Sequence, residues 1–161
     1  MDNEPDLKIR EELLDLYKSK DFKKLSKNIL ELQIEYPNSL FLLNLLGNLN
    51  NELGKYNEAI NNFEHIIKIN PNFADAYYNL GLILKNTNQI NKSIDNFEKC
   101  LKINPKKFEA YNNLGNIYRD KQKIDLAIIN YLKSLEINTN YLIALQNFGV
   151  CLQSFWFSKY S

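Results

Sequence analysis

The chain is short of the residues that most often carry chemistry. Its 161 residues include one histidine, one tryptophan, one methionine and two cysteines. His65 stands beside Phe63 and Ile66 with no partner set by spacing, so it reads as a surface residue rather than a base or ligand. Cys100 and Cys151 have neither metal-ligand nor redox spacing and read as small packing residues in a reducing cytoplasm. Neither a Gly-rich phosphate loop nor a paired-carboxylate motif is present, so no catalytic site, metal or cofactor is expected. Charge is nearly balanced, with 20 Lys+Arg against 19 Asp+Glu. Nucleic acid and anionic membranes both select a basic face, which such a balance does not supply. Apolar runs are short: Leu40 to Leu46 is broken by Asn44, far below the roughly 18 residues of a membrane span. The opening Met1-Asp2-Asn3-Glu4-Pro5-Asp6 is acidic and has no apolar centre, so it is not a secretory signal.

Proline and glycine are also scarce, and their placement is informative. Pro37, Pro71 and Pro105 are spaced by 34 residues, and Gly47, Gly81, Gly115 and Gly149 form a second ladder of that period. Further columns follow: Phe22, Tyr56, Ile90 and Ile124; Ile29, Phe63, Phe97 and Tyr131; and the mostly small Leu25, Ala59, Ser93 and Ala127. A period of this length marks a stacked repeat.

Apolar spacing inside each unit is helical. Tyr111, Leu114 and Tyr118 form one stripe, and Ile124, Ala127, Ile128, Tyr131 and Leu135 form another after a turn near Gln122-Lys123. Asn70-Pro71 and Asn104-Pro105 punctuate the units, because proline lacks a donor and disfavours helix at the residue before it. The spacing predicts helices near residues 6–19, 22–34, 40–53, 56–68, 74–87, 90–102, 108–121, 124–136 and 142–156. Glycine in a helix interior costs about 1 kcal/mol relative to alanine, so the ladder implies close approach of the second helix.

Tyr111-x2-Leu114-Gly115-x2-Tyr118 followed by Ala127-x3-Tyr131 resembles the tetratricopeptide repeat. Tyr77-x2-Leu80-Gly81 with Ser93-x3-Phe97, and Leu43-x2-Leu46-Gly47 with Ala59-x3-Phe63, are similar. The resemblance implies an all-α, right-handed superhelical solenoid of antiparallel helix pairs. It would form a single domain: a degenerate repeat at 6–39, repeats at 40–73, 74–107 and 108–141, and a half repeat at 142–161. It also implies that the first helices of the units line a groove for a protein or peptide ligand.

Positions carried over from the family place Asn44, Leu45, Asn48, Tyr78, Asn79, Leu82, Lys85, Asn112, Asn113, Asn116, Arg119 and Asn147 on that groove. The peptide-binding candidates are Asn44, Asn48, Tyr78, Asn79, Leu82, Asn112, Asn113, Asn116 and Asn147. Asn79, Asn113 and Asn147 form a ladder, and an amide can donate to and accept from a peptide backbone without reading side chains. This resembles the superhelix of protein O-linked N-acetylglucosamine transferases, so the alternative function is the substrate-recruiting part of a larger transferase, of that kind or sulfotransferase-like. A chaperone-tail clamp of Lys, Asn, Asn, Lys and Arg is not expected, since its places hold Asn44, Asn48, Asn79, Glu109 and Asn113. Asparagine is abundant throughout, at 25 residues, in keeping with an AT-rich genome. The last helix runs out in Phe155-Trp156-Phe157, for which two outcomes are expected: a further C-terminal segment that covers them, or a homodimer through the C-terminal helix.

Overall fold

A computed structural model describes residues 4–160, with the side chains of Ser154 and residues 157–160 outside the description. Among the described residues there are nine α-helices and no strand. They are α1 (Leu7–Lys18), α2 (Phe22–Glu35), α3 (Leu40–Glu52), α4 (Tyr56–Ile69), α5 (Ala74–Asn86), α6 (Ile90–Ile103), α7 (Phe108–Asp120), α8 (Ile124–Ile137) and α9 (Leu142–Tyr160). The first eight agree with the sequence expectation to within one residue at each end. α9 runs four residues further than its apolar pattern predicted, since nothing in 157–160 breaks a helix. None of the helices is long and apolar enough to cross a membrane. The chain forms two compact units, residues 1–83 and 84–161, with the boundary inside α5.

In the first unit Leu13 of α1, Leu25 and Ile29 of α2, and Leu42, Leu45 and Leu49 of α3 form one core. Asp6, Asp21 and Ser39 cap the starts of α1, α2 and α3 through their side-chain oxygens. The residues before α1 act on α3. Pro5 is fully buried, and Glu4 accepts from the backbone N–H of Leu40 at 2.8 Å and from the Ser39 hydroxyl. A carboxylate is well placed at a helix N-terminus, where unpaired N–H groups concentrate positive charge.

The glycine ladder works by close packing in both units. A Cβ on Gly47 would lie 2.7 Å from Cζ of Phe63, and one on Gly115 would lie 2.6 Å from Cε1 of Tyr131. In the second unit Tyr131, Ala127 and Cys151 form a core, with Tyr118, Ile124, Ile128 and Phe148 against it. Cys100 is buried as well, and neither cysteine is in a disulfide, in line with their reading as packing residues.

Turns repeat as faithfully as helices. Lys20, Gly54, Asn88 and Gln122 all have φ between 60° and 71° and stand 34 residues apart. Each ends the first helix of its pair, in a left-handed conformation that suits Gly54 and, less well, Asn88, but not Lys20 or Gln122. Gln122→Gly and Lys20→Gly should therefore each raise stability by roughly 0.5–1 kcal/mol in urea unfolding. A loss in both would mean that these side chains contribute contacts outweighing the strain. Between consecutive helix pairs, Asn70, Asn104 and Asn138 accept from the N–H two residues on, at 3.0, 3.1 and 3.2 Å. The third such turn keeps its geometry with Thr139 where the other two have proline.

Candidate functional site

The nine candidate residues fall on first helices of the pairs, as their positions imply, but their amides are not left idle. In the first unit Asn44 and Asn48 lie on α3 and Tyr78, Asn79 and Leu82 on α5, all half-buried. The Asn79 side-chain N–H donates to Oδ1 of Asn44 at 3.4 Å, joining consecutive first helices. Leu45, expected on the groove, is 5% exposed and belongs to the core with α1 and α2. Phe41 carries the Arg10 guanidinium 5.6 Å from its ring centre. Asn51 holds its Oδ1 buried without a hydrogen-bond partner.

The second unit repeats the staple and adds a cation to it. Asn147 of α9 donates to Oδ1 of Asn112 on α7 at 3.1 Å, and its own Oδ1 accepts from Arg119 at 3.5 Å. Asn113 accepts from Lys85 at 2.9 Å and donates to the Glu109 carbonyl at 2.9 Å. Lys85 and Arg119 stand 34 residues apart, and each reaches the amide 28 residues on. Burial lowers the pKa of Lys85, and the Asp120 carboxylate partly opposes this. Arg119 also meets Asp120 at 3.2 Å. Asn112 and Asn113 are only 3% and 9% exposed, while Asn116 accepts from the Tyr131 hydroxyl at 2.9 Å. Burial is the main cause that pushes the Tyr131 phenol up to about 12. Lys85 and Arg119, already among the groove positions carried over from the family, thus bond directly to the candidate amides Asn113 and Asn147.

An asparagine ladder is not in itself the mark of a ligand site here. Asn62, Asn96 and Asn130 form another, each donating to the carbonyl four residues back on a second helix at 2.8–2.9 Å. Asn70, Asn104 and Asn138 form the ladder of turns described above. What sets Asn44, Asn79, Asn112 and Asn147 apart is that they bond across neighbouring first helices. An amide has two donor and two acceptor positions, so one bond to a neighbouring helix leaves capacity for a ligand.

Helix pairs on a 34-residue period, with a polar first-helix face in each unit, define a repeat scaffold. Models of the tetratricopeptide repeat match residues 74–107 and 108–141, and a TPR repeat model matches residues 47–88, together more than half of the chain. The chain belongs to the tetratricopeptide repeat family, whose repeats mediate protein–protein interaction. No curated protein matches it in sequence.

Solved structures share the fold at low identity. A structure of MamA superposes with a TM-score of 0.77 at 24% identity, over 87% of this chain and 82% of that one. The first TPR of Spaghetti (RPAP3), bound to an HSP90 peptide, gives 0.68 at 21% identity, over 72% of this chain and 92% of the other. Cut9, in the APC/C Cut9–Hcn1 hetero-tetramer, gives 0.80 at 19% identity over 91% of this chain, which spans 30% of that structure's chain.

Proposed function

We propose that the chain is a non-catalytic cytoplasmic scaffold that binds an extended, mostly uncharged polypeptide along its first helices. The observation that carries this reading is the amide-rich, charge-compensated character of those faces. In the second unit the two cations are already engaged, Lys85 by Asn113 and Arg119 by Asp120 and Asn147. An acidic tail of the kind seen on the RPAP3 repeat would meet Glu109 and Asp120 there. A neutral backbone meets accessible amides at Asn116 and Asn147, and in the first unit Asn44, Asn48 and Asn79 beside the apolar surfaces of Tyr78 and Leu82. We also infer self-association through α9, where Trp156 is 62% exposed and Phe155 half-buried; the Phe157 side chain lies outside the described residues.

Calorimetry against peptides selected from an extended-peptide library tests the first proposal. Asn113→Ala with Asn147→Ala in the second unit, or Asn79→Ala in the first, should weaken a bound peptide by about fivefold per amide, near 1 kcal/mol each. Thermal unfolding of the same variants separates the two roles of an amide. If stability falls and affinity does not, the amides only join helices and the peptide reading is wrong.

A further inference from the structure

In the second unit each position along the inner stripe of α7 has a counterpart on α9. Tyr111, Gly115 and Tyr118 face α8: Lys133 sits 5.6 Å from the Tyr111 ring centre, Gly115 lies against Tyr131, and Tyr118 joins the Ala127–Tyr131 core. On α9 the same stripe reads Leu142, Leu145, Gly149, Leu152 and Trp156, spaced three, four, three and four. Among the described residues it is open. Leu142, Leu145, Leu152 and Trp156 are 70%, 43%, 41% and 62% exposed, and a Cβ on Gly149 would meet no atom within 4 Å. The spacing is that of a two-helix seam.

We propose that this stripe pairs with its own copy in a second chain, antiparallel, about a twofold axis at the height of residues 150 and 151. This rests on the self-association inferred for α9 and specifies its register. In that register Leu145, Gly149, Leu152 and Trp156 each meet a stripe residue, and Leu142 lies beyond the paired stretch. Leu152 of one chain fills the notch at Gly149 of the other, and Trp156 covers Leu145. The surface is self-complementary, as a twofold contact requires. Charge permits it, since Lys159 is the one charged residue of the nineteen in α9. The exposed stripe amounts to roughly 1,000 Å² over two chains, the lower edge for a specific interface, so a Kd of about 1–100 μM is expected.

Light scattering and Trp156 emission across a dilution series test the pairing. The expected result is a dimer that dissociates with a red shift, and a Leu152→Glu variant that is monomeric with unchanged helix content. A single-chain mass at every concentration overturns self-association, and a dimer that survives Leu152→Glu overturns pairing through α9, because that helix is then not the interface. The register is read by oxidative cross-linking in a Cys100→Ser, Cys151→Val background. Leu145→Cys mixed with Trp156→Cys should cross-link, and neither variant should do so alone. Cross-linking of Leu145→Cys with itself would leave self-association standing and overturn the antiparallel register.

Discussion

Gly115→Ala should destabilise the protein by about 1–2 kcal/mol, Gly47→Ala by a similar amount, and Gly149→Ala should stabilise it by up to about 1 kcal/mol. All three sit on one ladder and are interior to first helices, so the intrinsic gain from glycine to alanine is the same, about 1 kcal/mol. Their surroundings decide the sign. At Gly115 the new methyl would lie 2.6 and 2.7 Å from two atoms of the Tyr131 ring, and at Gly47 2.7 Å from the tip of Phe63. Both rings are fully buried, so displacing them strains a packed core, at a cost of about 1–3 kcal/mol that exceeds the helical gain. At Gly149 nothing lies within reach and only the gain remains. Urea unfolding of the three variants, at a concentration where the chain is monomeric, should return two losses and one gain. Three shifts of one sign would show that helix propensity, not close approach, governs the ladder.

The period was legible because it is written in proline and glycine, two scarce residues whose regular recurrence stands out whatever packs against them. Helix limits followed for the same reason, and only α9 ran past its expected end. The left-handed turn at Lys20, Gly54, Asn88 and Gln122 was not legible. Four residue types share one conformation there, and only Gly54 and Asn88 hint at it. Glu4 was equally silent: its partners Ser39 and Leu40 are distant in sequence, and a carboxylate near a terminus looks like ordinary surface charge.

The candidate face was legible as a set of positions and illegible as chemistry. Asn44, Asn79, Asn112 and Asn147 lie on the first helices that the repeat register assigns them. A letter N, however, does not say whether its amide turns to a ligand or to the next helix. Where the earlier residue of a pair is asparagine, at Asn44 and Asn112, the later amide bonds to it. Asn113 donates back to its own helix, at the Glu109 carbonyl. Leu45 shares its column with Asn79, Asn113 and Asn147, yet α1 and α2 cover it and make it core. The sequence does not show that α1 and α2 close over that column at its first position.

Raising the pH from 10 to 12 should cost the protein about 2–3 kcal/mol through Tyr131 alone, and Tyr131→Phe should remove that loss. The Tyr131 side chain is fully buried against Ala127 and Cys151, and its hydroxyl donates to Asn116. Burial holds its pKa near 12 against an ordinary 10.0; the Arg119 guanidinium opposes the rise, and Cys151 and Asp120 add to it. Below pH 10 the phenol is neutral in folded and unfolded chains alike, and its contribution is complete. Between 10 and 12 the unfolded chain gives up the proton while the folded chain keeps it. The folded state then binds more protons, and stability falls as pH rises. Above 12 both are ionised and the contribution is gone. Burial also raises the phenols of Tyr17, Tyr118 and Tyr141, which give a common alkaline slope in parent and variant. Phenylalanine already fills the same column at Phe63 and Phe97, so the ring fits, and at pH 8 the variant loses only the bond to Asn116, about 1 kcal/mol. The two stability curves should therefore cross, with the parent more stable at pH 8 and Tyr131→Phe more stable near pH 12. Parallel curves in denaturant titrations over that range would mean that the phenol ionises at its ordinary pKa and that the site around it is wet.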